Sequence, residues 1–177
     1  MKNKSLFASV GISLVVALSA PTLVLAHTTA AGSATTANIL LNSAANWTTI
    51  RSASVTISPL DLATHTCVVT ASADMDHDGA QGVNNRYRFV VTSNNSNPFT
   101  NSASERILEL VDNPNVDDSN ALPVSTNRTF FSIRANNGIN GTGTHRFRFL
   151  GRKVQANDTS ANVLDSSLSV ICADNTN

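Results

Sequence analysis

The stretch ASADMDHDGAQG, residues 71–82, sets Asp74, Asp76 and Asp78 at alternate positions and follows them with Gly79. Three alternate carboxylates can wrap a hard cation where a glycine permits the sharp turn behind them, because calcium seeks about six to eight oxygen ligands. A helix–loop–helix calcium loop also needs a bidentate glutamate at its twelfth position. Counted from Asp74, that position is Asn85, an amide with one oxygen to give and no charge. The flanks read as strands rather than helices. The site this pattern allows, as the alternative to a plain solvated turn, is a calcium ion held between strands by Asp74, Asp76 and Asp78. Asn85 (or Asn84) and backbone carbonyls would complete its shell. The leading reading is the solvated acidic turn itself, since Asp, Asn and Gly form turns unaided. Calcium is the one cofactor this pattern suggests.

A second pattern is basic. Arg86-Tyr87-Arg88-Phe89 and Arg146-Phe147-Arg148-Phe149 both alternate guanidinium with aromatic side chains. In a strand, alternate residues share a face, so Arg86, Arg88, Arg146 and Arg148 would line one outer surface if their strands are neighbours. Such a surface suits an anionic glycan, a phosphate-rich surface or an acidic protein partner. The leading reading of the same residues is cross-strand pairing with Glu105 and Glu109 on a solvated sheet face, with the anionic ligand as the alternative.

Other chemistry finds less footing. The histidines His27, His65, His77 and His145 show no zinc-type spacing. An amino-terminal His27 could chelate copper through its amine and ring, but no second histidine is spaced to join it. No Gly-x-Ser-x-Gly elbow occurs. Glu105 and Glu109 are the only glutamates. On one strand face they stand about 13 Å apart, beyond the roughly 5–9.5 Å of a glycosidase pair. Trp47 and Tyr87 occur once each, too few for aromatic sugar platforms. The Asn-x-Ser/Thr triplets at Asn46, Asn94, Asn127, Asn140 and Asn157 follow from an Asn-, Ser- and Thr-rich composition. The balance leans away from an enzyme. The alternative is a secreted enzyme whose metal-dependent or hydrolytic site is assembled across strands.

The elements that must hold these residues begin with a leader. Met1-Lys2-Asn3-Lys4, the apolar run to Ala20 and small residues before a cut after Ala26 form a secretory signal of bacterial character over residues 1–26. No later segment is apolar for long enough to be a transmembrane helix. The expected location is secreted: periplasmic, cell-surface or extracellular. Loss of Lys2 and Lys4 leaves ten basic residues against twelve acidic ones, which excludes a nucleic-acid binder by bulk charge. About 150 residues then remain, one domain by size.

Residues 27–45, rich in Ala, Thr and Ser, read as a loose segment with one apolar island near residue 40, ahead of a single domain over 46–177. A loose segment of this kind could pair with a neighbour's sheet edge, giving self-assembly. Strand patterns recur over 48–57, 64–73, 86–93, 104–112, 126–135, 144–154 and 163–172, with turn residues between them. That makes seven or eight strands in an all-β antiparallel two-sheet sandwich, jelly-roll-like, with an immunoglobulin-like sandwich or a closed barrel as alternatives. Tyr87, Phe89, Val91, Phe147 and Phe149 take the core parity, as do Leu164, Leu168, Val170 and Cys172. Cys67 shares the core parity of its own strand. An even cysteine pair in an exported chain implies a Cys67–Cys172 disulfide, tying the last strand to an early one.

Overall fold

A computed structural model describes residues 28–77, 84–93, 105–111 and 122–175. The leader and its cut after Ala26 lie outside the described residues. The strands are β1 (Thr28–Thr35), β2 (Ile39–Leu41), β3 (Thr48–Thr56), β4 (His65–His77) and β5 (Asn84–Ser93). They continue as β6 (Arg106–Val111), β7 (Leu122–Ile133), β8 (Thr144–Lys153) and β9 (Ala161–Asp174). Two short 3-10 turns, Ala135–Asn137 and Ile139–Gly141, join β7 to β8.

The described strands form two antiparallel sheets, ordered β1-β9-β4-β7 and β3-β8-β5-β6, with β2 also pairing β9. β1 and β2 occupy successive stretches of the same β9 edge, so nine segments fill eight strand positions. The pairings β1/β2 with β9, β3 with β8, β4 with β7 and β5 with β6 are those of one long antiparallel ribbon rolled upon itself. Successive pairs of that ribbon fall alternately in the two sheets, which is the jelly-roll topology. Among the described residues both sheets keep open edges, and neither closes into a barrel.

The two inner faces are complementary in size. β5 and β8 present Tyr87, Phe89, Phe147 and Phe149, all fully buried. β4 opposes them with Cys67, Val69, Ala71, Ala73 and Met75, and β9 with Val163, Leu168, Val170 and Cys172. Rings on one sheet against mostly small side chains on the other let the two layers interdigitate. The Cys67–Cys172 disulfide links directly opposed residues of β4 and β9, and both cysteines are fully buried.

Two expectations need correction. Residues 28–35 are not loose: they form β1, laddered to β9 from Thr28↔Ala173 to Thr35↔Ser166. No large side chain marks this strand. It is held by main-chain pairing, and Ala31 packs against the core. The chain's own sheet thus already holds the segment that was expected to pair with a neighbour. The second correction concerns β9. Its register with β4 shifts between Ala73 and Met75, so Val163 enters the core while Leu164 stays partly exposed. A bulge adds one residue, and an added residue reverses every side chain beyond it.

Candidate functional site

Asp74 and Asp76 lie in β4 on its outward side, partly exposed, while Asp78 and Gly79 lie outside the described residues. Alternate residues of an extended strand stand about 6.6 Å apart, so these two carboxylates are displayed along the outer face of β4 rather than wrapped around a centre. Asn85 is on the opposite side of its strand, fully buried, and its Oδ1 accepts a hydrogen bond from Thr159 N at 2.6 Å. The structure therefore does not bring Asn85 to the two aspartates. Asn84 instead donates through Nδ2 to Glu109 Oε1 at 2.6 Å. Among the described residues no group of three or more His, Cys, Asp or Glu side chains is placed to hold a metal. The bulge at Asp74 does bring a different carboxylate close. Asp165 of β9 and Asp74 both line a shallow depression of about 730 Å³, with Ala34, Ser72, Ser125 and Ser167 around them.

The arginines do share a face, because β5 and β8 are neighbours. Arg86 and Arg88 point outward from β5, and Arg146 and Arg148 point outward from β8. A fifth, Arg152, lies directly across from Arg88; it continues the parity of Arg146 and Arg148, which is the signal that would have revealed it. The face is not an open basic groove. Val90 and Leu150 sit between the arginine rows and are nonetheless 1% and 0% exposed, so its middle is covered. Arg88 Nη1 meets Glu105 Oε1 at 3.2 Å, and Arg86 is in register with Glu109. Arg152 lies 4.7 Å over the Trp47 ring and donates to Ala44 O at 3.0 Å. Burial, and then the Arg88 charge, lower its affinity for the proton; burial and Arg146 do the same for Arg148.

The opposite face, on the outside of β1-β9-β4-β7, is different in kind. Strand registers arrange its outward residues in rows across the four strands. One row is Ala30, Ile171, Val68 and Thr129. On one side of it lie Thr28, Ala173 and Thr66, with Phe131 at the β7 end. On the other side come Gly32, Ser169, Thr70 and Asn127, then Ala34, Ser167, Ser72 and Ser125. No charged residue occurs in these four rows; the first carboxylates, Asp74 and Asp165, stand at their end. The apolar side chains are well exposed, Val68 at 48%, Ile171 at 55% and Phe131 at 71%.

Two further polar clusters brace loops. His65 Nε2 lies 3.3 Å from Asp61 Oδ2, and His145 Nε2 lies 2.9 Å from Arg134 O. His27 and the His77 side chain lie outside the described residues. Around Asn85, the segment after β8 is pinned to β5. Tyr87 donates to Thr159 O at 2.7 Å, and Lys153 Nζ donates to Asp158 O at 2.7 Å and Ala156 O at 3.2 Å.

Burial, and then the nearby Asp158 carboxylate, push the Tyr87 phenol well above its usual value near 10. Unfolded, the same phenol ionises near pH 10. Above that pH the folded chain holds the extra proton, so stability is full below about pH 10 and falls as pH rises beyond it. Tyr87 is the only tyrosine, so phenolate absorbance reads this group alone. It should appear together with loss of structure in an alkaline titration. Phenolate forming while the fold persists would overturn the assignment, and Tyr87→Phe should flatten the alkaline loss.

No protein-family model matches the chain, and no curated protein matches it. Among solved structures it is similar to the crystal structure of the infectious bursal disease virus VP2 subviral particle. That match has a TM-score of 0.33 and 8% identity, covering 97% of this chain and 42% of that one. This chain therefore spans about two fifths of that chain's length. The fold and its faces define an all-β jelly-roll sandwich with an internal disulfide and one uncharged outer face.

Proposed function

We infer that the chain is an exported, non-catalytic unit of the cell surface or envelope that works by contact and assembly. The observation that carries this reading is the uncharged outer face of β1-β9-β4-β7. Soluble sheets usually blunt exposed surface and edges with charge. A sheet left uncharged from edge to edge, with apolar side chains half in water, fits a surface kept for a partner. The buried cystine suits an oxidising compartment, and the leader suits export.

Expression of the full chain with its leader in a bacterial host, followed by fractionation, tests the reading. The expected product begins at His27, has oxidised cysteines and stays with the envelope. The Val68→Lys/Ile171→Lys variant should lose most of that association. Unprocessed, reduced protein in the cytosol would sink export, and a variant retained like the parent would sink the contact role.

One observation favours a calcium contribution, or the alternative of a metal-dependent enzyme: Asp74 and Asp165 line one depression with no cationic side chain on its described lining. Calcium at a hundred times its dissociation constant would add about 2.7 kcal/mol. A melting midpoint that is the same in millimolar calcium and in chelator removes both.

A further inference from the structure

We propose that the outer face of β1-β9-β4-β7 is where two copies of this chain pack sheet on sheet, through Val68, Ile171 and Phe131. The inference rests on the assembly reading above and names the partner: a second copy.

Three features of the face point to this occupant. The first is its charge. Four rows without a charged residue offer nothing to a basic or acidic partner. Two copies laid together there meet no like-charge repulsion, which otherwise suppresses self-contact.

The second is its shape. In an isologous contact the same patch serves both partners. A two-fold axis lying along the strands, between β9 and β4, superposes row on row. Ile171 of one copy then falls over Val68 of the other, and these two are already cross-strand neighbours within each copy. The same axis sets the β7 edge of one copy over the β1 edge of the other. In that register Phe131 of β7, 71% exposed, falls over Thr28 of the other copy, while Thr129, Asn127 and Ser125 fall over the smaller Ala30, Gly32 and Ala34 of its β1. Bulk meets space on both sides of the axis. The exposure of Phe131 is also built in. The β4–β7 register shifts between His65 and Cys67, and Ser132 there takes φ +57°, the left-handed region. Such irregularities re-aim a side chain and are tolerated where that serves a function.

The third is size. Four strands at about 4.8 Å spacing and seven residues of about 3.3 Å rise cover roughly 19 by 23 Å. That is about 440 Å² of projected area per copy. The pair would bury about 900 Å² before side-chain relief is added, which places it at the weak, reversible end of specific interfaces. The small outward side chains let the sheets approach to about the 10 Å of aligned sandwich packing.

Sedimentation of the purified protein, produced from the full chain, tests this between about 1 and 200 μM. The expected result is a reversible monomer–dimer equilibrium within that range. Val68→Lys/Ile171→Lys should weaken it at least a hundredfold, with a melting midpoint unchanged from that of the parent at concentrations where the parent is monomeric. Phe131→Ser, which touches a different edge, should weaken it about tenfold. A parent that is monomeric throughout, or a dimer that survives the double lysine variant, overturns the proposal. Envelope association of a monomeric parent would leave the assembly reading standing, so the two failures are distinguishable.

Discussion

Replacing Cys67 and Cys172 together by alanine should lower the free energy of unfolding by about 4–5 kcal/mol. The bridge spans 105 residues, so it removes a large share of the conformations open to the denatured chain, and a longer loop removes more. It also joins the two central strands of one sheet, β4 and β9, whose ladder runs from His65↔Asp174 to His77↔Ala161. Without it, pairing of segments a hundred residues apart must be nucleated from an unconstrained chain. Alanine keeps both positions apolar, so the loss is not confounded by a buried hydroxyl. Urea unfolding of the parent and the double variant measures the difference, and a midpoint temperature lower by about 10–20 °C should accompany it. Both cysteines are fully buried. Reductant should therefore act only through opening of the sandwich, and the reduction rate should climb with urea. A difference below about 1 kcal/mol, or reduction at a rate indifferent to urea, would show that the bridge does not constrain the chain in this way.

That bridge was legible because two cysteines in an exported chain most simply pair, and Cys67 and Cys172 each fall on the core parity of their own strands. Tyr87, Phe89, Phe147 and Phe149 were legible for the same reason: an alternating ring pattern has one physical outcome in a half-buried sheet. β1 was not, since Thr28–Thr35 carries no large side chain and owes its place to main-chain pairing with β9. Pairing of that kind leaves no mark in hydropathy. Val163 replaced Leu164 in the core because a bulge is invisible to a strict period of two. Asn85 is an instructive miss. It lies two residues before Tyr87 and shares its parity, so the reasoning that buried Tyr87 also buries Asn85 and takes its amide away from the acidic turn. The uncharged face could not be read at all from one strand at a time. Thr66, Val68, Thr70 and Ser72 are an ordinary run until β1, β9 and β7 are known to lie beside them with runs as neutral.

Phe149→Ala should cost about 3–5 kcal/mol, near the top of what a single core truncation does. The ring is fully buried in β8, stacked on Phe89 of β5 at 5.9 Å between centroids and 30° between planes. Part of the loss is transfer of the ring from water, and the rest depends on how far the neighbours can close over the hole. Here they can close little. The inner face opposite is mostly alanine, valine and cysteine, side chains too short to reach across, and the cystine ties β4 to β9 so that neither strand can sag inward alone. Phe131→Ala supplies the contrast within the same chain. Its ring is 71% exposed, so in dilute, monomeric protein the change should stay within about 0.5 kcal/mol. Urea unfolding at low micromolar concentration measures both, and a double-variant cycle with Phe89→Leu should show coupling of about 0.5–1.5 kcal/mol for the ring pair. If Phe149→Ala cost less than about 1.5 kcal/mol, the interior would have to be soft enough to refill. The rigid, disulfide-pinned sandwich that displays a flat outer face would then lose its physical basis.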